Sequence, residues 1–203
     1  MDRDCRLEGH SSKVGLDGCF VRNHEKRKVD MLKWIAEKIV VAAEKRIGVT
    51  LEYAHEIAQT DFGLMLRYGK VLGFLDPNKN VPAPAYHIAR LRGAIAADCG
   101  TCVEAEINLA KNAKVPSEVI AAVLQSDYSA LPDELCAVAR LADAVTAKRE
   151  DAPEARAEIS KAYGTAGLIE ISFAMNGAAL LPGIKRSMGY ATVCDIQTIK
   201  KLA

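Results

Sequence analysis

Two of the six cysteines, at 5, 19, 99, 102, 136 and 194, share a local spacing, Cys99-Gly-Thr-Cys102. A Cys-x-x-Cys in a chain without a disulfide framework points to redox or metal chemistry. Asp98 is placed to cap a helix that begins at the motif. There the free N–H groups of the first turn and the helix dipole favour a thiolate. Residues three apart on a helix are neighbours, so the two sulfurs come within reach of a disulfide. Glu106 follows Cys102 by four residues, one turn up on the same face. If the chain reverses near Ala97–Asp98, His87 on the preceding helix lies roughly level with Glu106. A histidine there can take a thiol proton, and a carboxylate can orient its ring. Cys102, Cys99, His87 and Glu106 are therefore the expected catalytic set. Structural zinc sites take Cys and His only, and haem attachment needs a histidine where Val103 stands, so neither a metal nor a bound cofactor is expected.

The elements that must position this set read as helices. Val29, Leu32, Ala36, Ile39, Val40, Ala43 and Ile47 recur at steps of three and four until Gly48 stops the pattern. Thr50 is placed to cap a helix through Ala58, and Asp61 another to about Leu75. The stretch from Asp76 to Pro84 is a loop, followed by helices near 85–97, 100–113, 117–125, 132–147, 153–163 and 165–181. Cys136 falls in an apolar helical pattern as a core residue. His55 has no evident partner and reads as structural. No alternating strand pattern is sustained. The fold class is all-α, a compact bundle of roughly seven to nine helices with a Cys-x-x-Cys helical hairpin at its centre. Residues 1–28 read as a polar, loosely ordered leader, and 29–203 as a single helical domain.

Of the 203 residues, 27 are Lys or Arg and 26 are Asp or Glu, so no broad surface for nucleic acid or anionic membrane is expected. The uncharged run Ile171 to Ile184 is too short to span a bilayer, and the N-terminus has no apolar signal region. A cytoplasmic location is the resulting expectation. The helix Gly167 to Leu181 is apolar on nearly every side except Glu170 and Asn176, so it is either central or covered by another subunit. That leads to the expectation of a homo-oligomer.

The stretch His87-Ile-Ala-Arg-Leu-Arg-Gly-Ala-Ile-Ala-Ala-Asp-Cys99-Gly-Thr-Cys102-Val-Glu-Ala-Glu106 resembles the core of the alkylhydroperoxidase D-like, carboxymuconolactone decarboxylase superfamily. That core has an acid/base residue twelve positions before the first cysteine and another four after the second. The run Asn108-Leu-Ala-Lys-Asn-Ala-Lys-Val-Pro-Ser-Glu-Val-Ile-Ala-Ala-Val123 is similar to the family's next helices. The family order is Glu before the cysteines and His after them; here His87 precedes and Glu106 follows. The resemblance implies an antioxidant peroxidase in which Cys102 attacks a hydroperoxide and becomes a sulfenic acid. Cys99 then condenses with it to a disulfide, and an external dithiol, a lipoyl group or a thioredoxin-like protein, restores both thiols. Position nearer the helix end would instead favour Cys99 as nucleophile, and Cys99 is expected to be the more exposed sulfur for exchange with the reductant. Two other readings stay open: a cofactor-free lyase of the decarboxylase type, with His87 as general acid/base, and a non-catalytic helical interaction protein.

Overall fold

The computed structural model describes the backbone of residues 17–75 and 80–190, and side chains from Arg27 onward. Eight helices run in chain order: α1 (Asp17–Ile47), α2 (Glu52–Thr60), α3 (Phe62–Val71), α4 (Ala83–Ala96), α5 (Gly100–Asn112), α6 (Ser117–Gln125), α7 (Asp133–Ala142) and α8 (Pro153–Ser187). A short 3-10 turn, Leu72–Leu75, follows α3, and a π-helical turn, Asp143–Lys148, follows α7. No strand occurs among the described residues, and the helices pack as one all-α bundle.

α4 is the centre. Tyr86 and the whole run from Ile88 to Ala94 are buried, and α4 touches α5, α6, α7 and α8. Such all-round burial demands small residues on at least one face. Ala85, Ala89 and Gly93 supply it at steps of four, and at Gly93 the face meets the backbone of α8. A Cβ at Gly93 would sit 2.2 Å from the Met175 carbonyl oxygen. The main core gathers Ile88, Leu91, Val103, Ile107, Ile120, Val138, Ile159, Ile171 and Met175.

α8 is long and apolar enough, by length and composition, to cross a membrane. In this fold it packs along α4 and α7, and it is interrupted at Gly164, whose φ of 68° few other residues tolerate. Glu170, on its buried face, accepts a hydrogen bond from the Asn80 amide at 2.7 Å.

A second, smaller core joins α1, α2 and α3 through Ala36, Val40, Tyr53, Ala54, Ala58 and Met65. α1 begins at Asp17, well before Val29, because the intervening Arg, Glu and Lys residues are good helix formers. Residues 1–16 of the expected leader lie outside the described residues, as do Cys5 and Cys194. Gly48 ends α1 with φ of 71°, as expected of it. Leu51, not Thr50, occupies the N-cap of α2, and its amide donates to Glu44 Oε1 at 2.7 Å. Asp61 caps α3 by accepting from the Leu64 amide at 2.8 Å. His55 bridges α2 to α1, with Nδ1 2.6 Å from Glu37 Oε2 and Nε2 3.0 Å from Glu44 Oε1. Asn108 and Asn112 of α5 donate to the Ile47 and Arg46 carbonyls at 2.9 and 3.1 Å, satisfying the open end of α1.

Gly93→Ala forces a methyl group into the α8 backbone, so the substitution is expected to lower unfolding free energy by about 1–3 kcal/mol. Urea denaturation of the two proteins measures it.

Candidate functional site

The Cys-x-x-Cys lies where α4 turns into α5. Cys99 is the N-cap of α5, with φ of −131°, and Cys102 is in the first turn. Asp98, expected as the cap, instead takes a left-handed φ of 51° in the turn before it. From the end of α8, Arg186 donates to the Ala97 and Asp98 carbonyls at 3.1 and 2.7 Å, fixing the turn. The two sulfurs stand 2.6 Å apart, as free thiols. Closing to a disulfide bond of about 2.05 Å needs only about half an ångström of movement.

Exposure runs opposite to expectation. Cys99 is fully buried and Cys102 is partly open. Cys102 lines an apolar cavity of about 180 Å³ between the small α1–α3 core and the α4, α5 and α8 face. Ile39, Val40, Leu51, Met65, Leu72 and Leu109 form much of its wall. Tyr53, Tyr68 and Lys185 reach the same cavity. Lys185 also lines a neighbouring polar cleft with Glu52, Thr101, Glu104 and Tyr190.

The electrostatics divide the pair. The Cys102 thiol pointing at Cys99 holds the Cys99 thiol down to about 6, against the opposing effect of burial. The Cys102 backbone amide and the charges of Lys185 and Arg186 act in the same direction. Cys102 is pushed far up, by its hydrogen bond to Cys99, by burial and by the Cys99 charge. Within the pair, Cys99 is therefore the more acidic thiol. Lys185 is only 6 % exposed, and among the described residues no carboxylate pairs with it. Its Nζ stands 5.9 Å from the centroid of the Tyr53 ring.

Glu106 and His87 do not meet. Glu106 is bound at both oxygens by Arg90, Nε to Oε2 at 2.6 Å and Nη2 to Oε1 at 2.9 Å, and all of this is buried. Arg90 also donates to the Leu75 carbonyl at 3.1 Å, tying the 3-10 turn to α4. The pair 90/106 centres the reversal between α4 and α5 on residue 98, whereas pairing His87 with Glu106 needs it centred between residues 96 and 97. Glu106 is thus level with Arg90, one turn beyond His87. His87 instead borders a small apolar crevice with Leu91, Ala110, Val119 and Val123. Its Nδ1 is buried without a hydrogen-bond partner. Burial, and then the Arg90 charge, push its pKa down to about 4, so the ring is neutral at pH 7.

Tyr53, Tyr68, Lys185 and Arg90 were not among the residues expected at the site. The first three come from helices remote in sequence, and no spacing joins them to the cysteines. Arg90, three residues beyond His87, was the one legible alternative partner for Glu106. Among the described residues no group of three or more His, Cys, Asp or Glu side chains is placed to hold a metal. Comparison of the chain with family models, with curated proteins and with solved structures finds no match.

The ionisation of Cys99 makes a direct test. Thiolate absorbance is expected to appear with a midpoint near pH 6 in the native chain. Lys185→Met removes a nearby cation while keeping the bulk, so the midpoint moves up toward the free-cysteine value of about 8.5.

Proposed function

We propose that this chain is a thiol-dependent antioxidant oxidoreductase that reduces hydroperoxides through a Cys99–Cys102 dithiol/disulfide cycle. The observation that carries the reading is the pair itself: two free thiols 2.6 Å apart at a helix N-terminus, one of them open to an apolar cavity. A dithiol in such a setting is suited to exchange between thiol and disulfide. Membership of the alkylhydroperoxidase D-like superfamily, and a cytoplasmic location, belong to the same proposal. The family part rests on the residues quoted from His87 to Val123.

The steps take Cys102 as the attacking sulfur from the resemblance and from its access to the cavity, and use Cys99 as its proton acceptor. Cys102 passes its proton to Cys99 and attacks the terminal oxygen of the hydroperoxide. An S–O bond forms, the O–O bond breaks, and the departing alkoxide takes a proton to leave as an alcohol. Cys102 is now a sulfenic acid. Cys99, its proton lost again, attacks the Cys102 sulfur; the S–S bond forms and hydroxide leaves, becoming water with one proton. An external dithiol, a lipoyl group or a thioredoxin-like protein, then attacks the accessible Cys102 sulfur and displaces Cys99. The charges of Lys185 and Arg186 stabilise the departing Cys99 thiolate, which favours this direction of attack. The cycle needs no bound cofactor. A homo-oligomer is part of the proposal, supported by Ile169, Phe173 and Leu180, which stand exposed on α8 beside exposed Phe74.

A His87–Glu106 relay is left out of this scheme because Glu106 is committed to Arg90. The lyase reading relies on His87 as acid/base, and nothing in the apolar crevice around that ring favours it.

Mass spectrometry after one equivalent of cumene hydroperoxide tests the cycle. The native chain is expected to lose two thiols to a Cys99–Cys102 disulfide. Cys99→Ser should stop at a sulfenic acid on Cys102 that dimedone traps. Cys102→Ser should slow oxidation at least about 100-fold, while His87→Ala stays within about twofold. Unchanged oxidation in Cys102→Ser would overturn the reading.

A further inference from the structure

A departing alkoxide is a strong base, and the cycle above requires a proton at that oxygen inside an apolar cavity. Arg90 and Glu106 are bound to each other, the Lys185 charge acts on Cys99, and an aliphatic hydroxyl such as Thr101 is no more acidic than the alcohol being formed. The phenols Tyr53, on α2, and Tyr68, on α3, line the same cavity as Cys102. Their hydroxyl oxygens are 2.6 Å apart, and their rings pack edge to face with centroids 5.8 Å apart. One hydroxyl proton is spent in that bond and the other is not.

We propose that Tyr53 donates to the Tyr68 oxygen and that Tyr68 donates its own proton to the leaving oxygen of the hydroperoxide. The inference rests on the peroxidase reading above and adds to it a proton donor on the cavity wall. Two observations support this direction of donation. Tyr53 is the more buried of the two, at 5 % exposure, so its proton faces Tyr68 and not an entering ligand. Burial pushes both phenols up, but the hydrogen bond from Tyr53 eases ionisation of Tyr68, whereas the Tyr68 charge and hydrogen bond oppose ionisation of Tyr53. The balance is closed: O–H of Tyr68 breaks, O–H of the alcohol forms, and the phenolate is reprotonated by solvent, which takes up the proton that Cys99 gives up before it attacks the Cys102 sulfur.

The test compares leaving groups that need a proton with one that does not. Single-turnover oxidation of the intact reduced chain is followed with cumene hydroperoxide, whose alkoxide must be protonated, and with 2,2′-dithiodipyridine, whose thiopyridone leaves unaided. Tyr68→Phe is expected to slow the hydroperoxide about 100-fold and the dithiodipyridine less than twofold. Tyr53→Phe should slow the hydroperoxide about tenfold, again selectively. Hydroperoxide oxidation unaltered in Tyr68→Phe, or both oxidants slowed alike, would overturn the proton-donor role while leaving the peroxidase reading in place. A native chain that reacts with dithiodipyridine and not with the hydroperoxide would overturn the peroxidase reading, and the donor role with it.

Discussion

The buried ion pair between Arg90 and Glu106 sets the register on which the site depends. Its guanidinium meets the carboxylate through two parallel hydrogen bonds, the geometry that makes such pairs both strong and directional. The same guanidinium holds the Leu75 carbonyl, to which the Tyr86 hydroxyl also donates at 2.5 Å. One side chain thus joins α4, α5 and the end of the α3 segment. Desolvating both ions is costly, and removing one partner alone leaves a buried charge worth about 3–5 kcal/mol of lost stability. With α4 and α5 locked at this level, Cys102 is directed toward the cavity and Cys99 toward the bundle interior.

The cysteine pair converts that placement into chemistry. A helix N-cap, a donor thiol and two cations from the end of α8 all favour negative charge on Cys99, and burial is the opposing effect. The more accessible sulfur and the more acidic one are therefore different atoms, and the proposed cycle gives attack to Cys102 and resolution to Cys99. Proton transfer over 2.6 Å links the two roles. Lys185 belongs to both sides of this arrangement, facing the apolar cavity and the polar cleft at once.

Much of the helical frame was legible in the sequence, because apolar spacing, Gly48, Asp61 and Gly164 act locally. The start of α1 was not, since its first turns carry charged helix formers and no apolar period. Asp98 looked like a cap because its type suits one, but the turn needs a left-handed residue there, and the cap falls to Cys99. The reversal is centred on residue 98, which puts Arg90 and not His87 level with Glu106. The Cys99–Cys102 pair and the one-turn step to Glu106 can be read from spacing within one helix, but the partner of Glu106 cannot. Tyr53, Tyr68 and Lys185 reach the cavity only through tertiary packing of α2, α3 and α8, which leaves no periodic trace.

Equilibrating the intact chain in graded thiol–disulfide buffers, and reading the Cys99–Cys102 bond by mass spectrometry, tests the central claim most directly. The account predicts a reversible two-electron titration confined to this pair, with a midpoint between roughly −270 and −120 mV. A pair that remains reduced at the oxidising end of that range, or oxidation that falls on other cysteines instead, would contradict it.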